Sequence, residues 1–115
     1  MDQINQIQTM IAAAASDKKA QDIVILDMDK VSLVADYFVI CSANSTTQVK
    51  AISDNIEEKL SEQGIHALRR EGYREGRWVL LDYGYCIAHI FIEEDRRFYN
   101  LERLWGDAKS HTYEK

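Results

Sequence analysis

Residues 77–92, with the sequence RWVLLDYGYCIAHIFI, decide the fold because they predict two strands joined by a tight turn. The runs on both sides of Gly84 are apolar and contain the β-branched and aromatic residues that strands favour. A tight hairpin needs a residue of positive φ, and Gly84 adopts one at little cost. The loop is formed either by Tyr83 and Gly84 or by Gly84 and Tyr85, and the sequence leaves both registers open.

Both registers sort the side chains onto the same two faces of the sheet, because successive side chains of a strand alternate. One face is small and aliphatic, as expected beneath helices, and carries Val79, Leu81, Cys86, Ala88, Ile90 and Ile92. The other face combines two large aromatic side chains with a histidine and a carboxylate, and consists of Trp78, Leu80, Asp82, Ile87, His89 and Phe91. We call this second set the aromatic face.

The composition of the aromatic face is more typical of the centre of an interface than of a core. Three interpretations follow. In the first, the terminal helix covers the face, with Trp105 stacked on it and His89 a core histidine whose hydrogen bonds are satisfied. In the second, the face stays open and marks a site for a partner protein. In the third, the face is the interface of a homodimer.

The remainder of the sequence predicts a mixed α/β domain. Apolar residues recur at helical spacing in three segments, and continuous apolar runs of strand length predict central strands that are covered on both sides. The predicted helices span 3–16, 46–63 and 97–105, and the predicted strands span 22–26, 37–41, 65–69, 77–83 and 86–92. The expected fold class is therefore α/β, with a mixed five-stranded sheet and flanking helices.

Length and charge narrow the classes of function. The chain has 115 residues, the length of one ordinary domain, and its 14 Lys and Arg against 19 Asp and Glu give a net charge of -5. An acidic domain is a poor candidate for gripping a nucleic-acid backbone and is better suited to a basic protein.

Cys41 and Cys86 lie in apolar runs and form no disulfide or zinc pattern. No signal peptide, transit peptide or membrane span is indicated, so we expect a cytoplasmic protein.

Residues 40–48, ICSANSTTQ, connect a predicted strand to a predicted helix, where phosphate sites often lie. Phosphate loops use glycine so that the backbone can approach the ligand, and this stretch contains none. Ser45 and Gln48 instead match a capping box, in which each side chain satisfies the unpaired backbone N–H of the other residue. This pattern favours a structural corner over a phosphate site.

A residual nucleotidyltransferase is the alternative function. In that hypothesis Asp27, Asp29 and Ser42 would hold magnesium and a nucleotide. The three histidines have no spacing typical of a metal site, and no nucleophile has a nearby base in the sequence. We therefore predict no catalytic site and no bound metal.

Three stretches resemble the ribosomal silencing factor family, also called RsfS or Iojap-like. They are KKAQDIVILDM at 18–28, ADYFVICSANSTTQVKAI at 35–52 and EGRWVLLDYGYCIAHIFIEEDRRFYNLERLWGDA at 75–108. The last stretch is long and specific. The resemblance covers roughly residues 3–107 and implies that residues 1–115 form one domain of this family.

The resemblance implies a fold similar to nucleotidyltransferases but without a working active site or a cofactor. It implies docking on a large-subunit ribosomal protein, the fourteenth of the standard series, which obstructs joining of the two subunits and represses translation when nutrients are scarce. Little direct contact with nucleic acid, and none with a membrane, is expected. The implied partner surface consists of Trp78, Leu80, Asp82, His89 and Phe91, flanked by Tyr99 and Trp105. In it Trp78 and Phe91 would be apolar anchors, and Asp82 would pair with a basic side chain.

Two positions depart from the family pattern. Ala43 stands where many members have glycine, which further weakens a phosphate site. Tyr85 stands where many members have aspartate, in the hairpin turn, and we expect it to alter a contact at the rim of the partner surface or to leave a more apolar turn.

Overall fold

The computed structural model describes residues 7–29, 31–33 and 35–114. These residues form, in chain order, α1 (Ile7–Asp17), β1 (Gln21–Asp27), β2 (Tyr37–Ala43), α2 (Thr46–Ser61), β3 (Arg69–Glu71), β4 (Trp78–Asp82), β5 (Cys86–Ile92), α3 (Glu93–Tyr99), α4 (Leu101–Leu104) and β6 (Lys109–Thr112). The strands lie in one sheet in the order β3-β4-β5-β2-β1-β6. β2 and β5 pair in parallel, and the other neighbours pair antiparallel. The predicted α/β class and mixed sheet are confirmed.

The sheet has six strands in the described residues, so the prediction of five was wrong. The additional strand, β6, pairs with the outer edge of β1, where Val24 lies opposite Thr112 and Asp27 opposite Lys109. All four residues of β6 are exposed and their sequence, KSHT, has no apolar alternation. The strand therefore forms through backbone hydrogen bonds to the free edge of β1. No pattern of side chains in the sequence predicts such a strand.

The hairpin adopts the second of the two predicted registers. Trp78 lies opposite Phe91 and Leu80 opposite His89, which makes Gly84 and Tyr85 the loop residues. Gly84 has a φ of 87°, in the left-handed region that a side chain disfavours. Its N–H donates to the Asp82 carboxylate at 2.8 Å. The turn thus uses the positive φ that the sequence predicts.

The aliphatic face of the hairpin lies beneath α1 and α2, as predicted. Val79, Leu81 and Ile90 are fully buried there and belong to the same cluster as Ile11 of α1 and Ile52 of α2. Burial of such side chains contributes about 1.5–3 kcal/mol each. This cluster supports the sheet from the side opposite the aromatic face.

The predicted terminal helix over 97–105 is replaced by two shorter helices, of which the first begins earlier, at Glu93. α3 ends where Asn100 adopts a left-handed φ of 47°. The Asn100 side chain then accepts from the Arg103 N–H at 3.3 Å and caps α4. Asparagine tolerates this conformation and competes with the backbone as an acceptor, so it divides the helix. Trp105 lies beyond α4, at its C-terminal cap.

Two further boundaries differ from the prediction. The strand predicted over 65–69 is displaced, because β3 begins at Arg69 and the preceding residues are irregular. Ile65 and Ala67 nevertheless pack against the core, which explains their apolar pattern. The first predicted helix, 3–16, is described from Ile7 onward as α1, and residues 3–6 lie outside the described part of the chain.

The corner between β2 and α2 confirms Ser45 as the N-cap, but the second bond of the predicted capping box is displaced by one residue, from Ser45 to Asn44. Ser45 is the N-cap, and its hydroxyl accepts from the Gln48 N–H at 3.1 Å. The Gln48 carboxamide oxygen accepts from the Asn44 N–H at 3.1 Å. Its amide nitrogen donates to the carbonyls of Lys18 and Lys19 at 3.2 and 3.1 Å. Gln48 therefore also ties the start of α2 to the end of α1.

Candidate functional site

The aromatic face is covered over one half and open over the other. The covered half contains Phe91, which forms a second buried cluster with Ile40 of β2 and Leu26 of β1. Leu101 and Trp105 pack against this cluster. On the open half, Trp78, Leu80 and Asp82 of β4 are only partly buried. The terminal segment thus covers one half of the face, as in the first interpretation, and leaves the other half open.

Aromatic rings are stacked at the boundary between the two halves. Trp78 stacks on Phe91 with ring centroids 4.8 Å apart, and Tyr99 lies on Trp78 at the same centroid distance, 4.8 Å. Phe91 is fully buried beneath this stack, whereas Tyr99 is 48% exposed. Stacked pairs of this kind contribute about 0.5–1.5 kcal/mol beyond the burial of area. The stack therefore fixes the orientation of the Trp78 indole on the sheet surface.

His89 is the polar centre of the face. Its Nδ1 accepts a hydrogen bond from the Trp78 indole N–H at 3.1 Å. The neutral imidazole that accepts at Nδ1 carries its proton on Nε2. That Nε2 is buried and has no hydrogen-bond partner among the described residues. Burial lowers the pKa of His89 to about 4, so the side chain is neutral near pH 7. The predicted core histidine is thus satisfied at one nitrogen only.

Asp82 is held at the rim of the face by two interactions. Its carboxylate accepts from the Gly84 N–H at 2.8 Å and forms an ion pair with Arg69 at 3.1 Å. Arg69 also pairs with Glu71 at 2.8 Å, and its side chain is 58% exposed. Removing the Asp82 carboxylate would therefore loosen the hairpin turn and leave Arg69 paired with Glu71 alone.

The remaining predicted site residues lie on the covered side. Trp105 packs edge-on against Phe38 with centroids 6.1 Å apart, and Phe38 packs against His89 at 4.6 Å. The structure therefore brings the seven predicted residues to one side of the sheet. On that side Phe91 and His89 are buried. Trp78, Leu80, Asp82 and Tyr99 lie nearer the surface.

Phe38 is the member of this face that the sequence did not reveal. It lies on β2, where it is opposite Ile87 of β5 in the one parallel pair of the described sheet. The run at 37–41 is apolar at every position, so alternation gives no sign of which side chains face which way. Only the pairing of β2 with β5 places Phe38 beside His89.

The alternative nucleotidyltransferase site is not assembled. Asp27 lies opposite Tyr37 and Ser42 lies opposite Gln21, so the two residues are at opposite ends of the β1–β2 pair. At ~3.3 Å per residue, this separation is roughly 17 Å along the strand. The Ser42 hydroxyl donates to the Gln21 carbonyl at 3.3 Å and accepts from Arg96 at 3.2 Å. Within residues 7–29, 31–33 and 35–114, no three His, Cys, Asp or Glu side chains could hold a metal ion.

Neither cysteine is suited to nucleophilic chemistry. Cys41 and Cys86 are free and buried. Burial raises the pKa of the Cys41 thiol to about 12 and raises the pKa of Cys86 as well. Both therefore remain protonated near pH 7, as predicted for small core residues.

The described helices include none that is long and apolar enough to cross a membrane. The longest of them, α2, spans 16 residues and includes several charged side chains. This finding concerns residues 7–29, 31–33 and 35–114.

Comparison with known proteins places this chain in a family. The sequence model of RsfS, "Ribosomal silencing factor during starvation", matches residues 1–115. A ribosomal silencing factor RsfS of Bacillus subtilis is 51% identical over 102 residues, which cover 89% of this chain and 86% of that protein. A chloroplastic Iojap protein of Zea mays is 35% identical over 85% of this chain and 42% of its own length.

Solved structures agree with this assignment. A crystal structure from Chromobacterium violaceum matches with a TM-score of 0.88 and 31% identity, over 100% of this chain and 95% of that one. A structure from Bacillus halodurans matches with a TM-score of 0.81 and 40% identity, over 96% of this chain and 99% of that one. The chain belongs to the RsfS family of ribosomal silencing factors, which are non-enzymatic.

Proposed function

We propose that the chain represses translation by docking on the large ribosomal subunit through the open half of its aromatic face. The direct partner in this proposal is the fourteenth large-subunit ribosomal protein, and the bound chain sterically obstructs joining of the two subunits, chiefly when nutrients are limiting. The nucleotidyltransferase-like scaffold then serves as a rigid wedge in the cytoplasm, where it needs neither cofactor nor metal.

The observation that carries the proposal is the partly buried row of Trp78 and Leu80 on β4. Trp78 lies against the half-exposed Tyr99, and both apolar side chains project from a sheet that is packed on its opposite side. Large aromatic side chains on a rigid support are typical of residues that dominate binding energy, because little conformational entropy is lost when they are covered.

The buried members of the aromatic face support Trp78 from beneath. Phe91 is 0% exposed and His89 is 4% exposed, so a docked partner would contact Trp78, which they support. This assigns the anchoring role chiefly to Trp78 and Leu80. Phe91 contributes by stacking under the indole, and His89 by accepting its N–H.

Charge supports a basic partner. The net charge of the chain is -5, and oppositely charged surfaces accelerate and orient association. Asp82 lies at the edge of the open half with its side chain 18% exposed, and its ion pair with Arg69 is itself exposed to solvent. A basic side chain of the partner can compete with Arg69 for this carboxylate.

Co-sedimentation with purified large subunits tests the assigned surface. We expect Trp78→Ala to weaken binding about thirtyfold or more, since truncation of such an anchor costs about 2 kcal/mol. Leu80→Glu places a charge on the same open half and is expected to have an effect at least as large. Thr9→Glu adds the same charge to the exposed side of α1, behind the sheet, and serves as the matched control.

The result that overturns the proposal is unchanged binding of both Trp78→Ala and Leu80→Glu. Circular dichroism and urea unfolding of each variant distinguish a lost contact from a lost fold. Light scattering of the free chain addresses the homodimer interpretation. If the aromatic face joins two copies, Leu80→Glu converts a dimer into a monomer, whereas Thr9→Glu does not.

A further inference from the structure

An exposed hollow lies on the outer side of the two terminal helices, next to the aromatic face. It has a volume of about 590 Å³ and is lined by Arg97, Phe98, Tyr99, Asn100, Arg103 and Leu104. Phe98 is 80% exposed and Leu104 is 69% exposed. Neither contributes to the buried clusters of the fold, so packing does not explain these large apolar side chains.

The hollow contains two guanidinium groups and no carboxylate. Other arginines nearby are tightly paired: Arg77 lies 2.6 Å from Asp95, and Arg96 lies 3.1 Å from Glu102. Arg97 approaches Glu93 only to 3.9 Å, with its own side chain 73% exposed. In the described part of the chain, the Arg103 side chain takes part in no ion pair. On an acidic protein, two cationic groups are thus left available for an external anion.

We propose that this hollow binds ribosomal RNA of the large subunit. Arg97 and Arg103 would contact backbone phosphates, and the Phe98 ring would stack on an unpaired base. Guanidinium groups bind phosphate oxygens through paired hydrogen bonds. Exposed aromatic rings stack on bases of single-stranded loops and bulges, which have accessible faces. The inference rests on the proposed function, since it presumes that the chain docks on the large subunit.

The surroundings favour RNA over other anionic partners. If the aromatic face meets a basic ribosomal protein, the anions next to it are chiefly RNA phosphates. A second copy of this chain is a poor occupant of the same hollow in a symmetric pair, because two copies of Arg97 and Arg103 would meet. An acidic protein segment has the required charge but does not explain the exposed ring of Phe98 as well as a base does.

The hollow is continuous with the aromatic face. Phe98 contacts Tyr99 edge-on with centroids 5.1 Å apart, and Tyr99 lies on Trp78 at 4.8 Å. One docked surface can therefore cover both regions. The expectation of little contact with nucleic acid rests on the net charge of the whole chain, whereas binding depends on where the charges lie.

The salt dependence of binding to large subunits tests the phosphate contacts. We expect the double variant Arg97→Ala/Arg103→Ala to bind more weakly than wild type and to have a smaller salt slope, by about 1.4 for two single-stranded phosphate contacts. The wild-type advantage then shrinks about sevenfold between 50 and 200 mM salt. Lys59→Ala/Arg74→Ala removes the same charge from two exposed positions outside both the hollow and the aromatic face and is expected to leave the slope unchanged.

A photo-crosslinking residue in place of Phe98 identifies the molecule in the hollow. Adducts with RNA, recognised by their sensitivity to nuclease, support the proposal. Adducts with protein alone overturn it in favour of an acidic protein segment, and absence of any adduct in a variant that still sediments with large subunits also overturns it. If wild-type chain fails to sediment at all, the proposed function fails first. If wild type sediments and the two double variants have equal slopes, only the RNA contact is wrong.

Discussion

Trp78 and His89 are joined across β4 and β5 by one hydrogen bond, in which the indole Nε1–H donates to Nδ1 over 3.1 Å. The two residues are diagonal neighbours, two positions out of direct register, since Trp78 is opposite Phe91 and His89 is opposite Leu80. The bond sets both the orientation of the indole and the tautomer of the imidazole. It therefore couples a partly exposed candidate anchor to a buried titratable group.

Replacing Trp78 by Phe isolates this hydrogen bond. The new ring can still stack on Phe91, but the buried Nδ1 of His89 loses its donor, which costs about 1–3 kcal/mol. We expect the free energy of unfolding in urea to fall by that amount. In a His89→Leu background the same substitution leaves no acceptor without a donor, so it should lower the free energy of unfolding by less. Equal costs in the two backgrounds would show that the bond contributes nothing to stability.

Stability is expected to fall between neutral and mildly acidic pH because of His89. Its pKa is about 4 in the folded chain, below the ordinary value of 6.5. The unfolded state therefore binds the proton first, and the stabilisation present above pH 6.5 is lost as the pH falls toward 4. From pH 7.5 to 4.5 the loss is about 2.5 kcal/mol.

Urea unfolding of wild type and His89→Leu at the two pH values measures this effect. Carboxylates titrate in both proteins, so the difference between the two losses reports the histidine alone. We expect wild type to lose about 2.5 kcal/mol more than His89→Leu over this range. Parallel losses would mean that His89 is accessible to protons in the folded state.

Gly72 is expected to control the position of Trp78. Its φ is 79°, and a Cβ atom placed there would lie 2.0 Å from the Trp78 carbonyl oxygen, a backbone atom that cannot simply rotate away. Gly64 has a similar φ of 75° but open space around it. Gly64→Ala should therefore cost only the ~1 kcal/mol of an unfavourable φ, and Gly72→Ala considerably more. Comparable unfolding free energies for the two variants would contradict this steric argument.

Arg96 is expected to hold α3 and α4 on the sheet. It is 7% exposed and donates to Glu102 at 3.1 and 3.3 Å and to Ser42 at 3.2 Å. Arg96→Met leaves the polar groups around it unpaired, and we expect a loss of about 2–3 kcal/mol in unfolding free energy. Arg96→Lys should recover little of it, because one ammonium cannot reproduce the two parallel bonds to Glu102. Full recovery by lysine would reduce the role of Arg96 to charge alone.

The hairpin was predictable because its information is local. Alternation of side chains separates the aliphatic from the aromatic face in either register, and Gly84 marks the turn. The choice between the two registers required the structure, which places Trp78 opposite Phe91. The capping pair Ser45 and Gln48 was predictable for the same reason, since its partners lie within one turn of α2.

Features that depend on distant parts of the chain were not predictable. β6 has a polar sequence and forms only because β1 presents a free edge. Phe38 joins the aromatic face because β2 pairs with β5 in parallel. The division of the terminal helix at Asn100 lies between these cases, because an asparagine permits a left-handed conformation without requiring it.

The sequence by itself determined the family, the α/β class and the set of residues that share the aromatic face, because motifs, periodicity and alternation are properties of neighbouring residues. Only the tertiary structure decided which of those residues are accessible. Phe91 and His89 are buried because α3, Trp105 and Phe38 close over them, while Trp78 and Leu80 remain near the surface. Exposure depends on what distant segments cover, and that is a property of the folded chain.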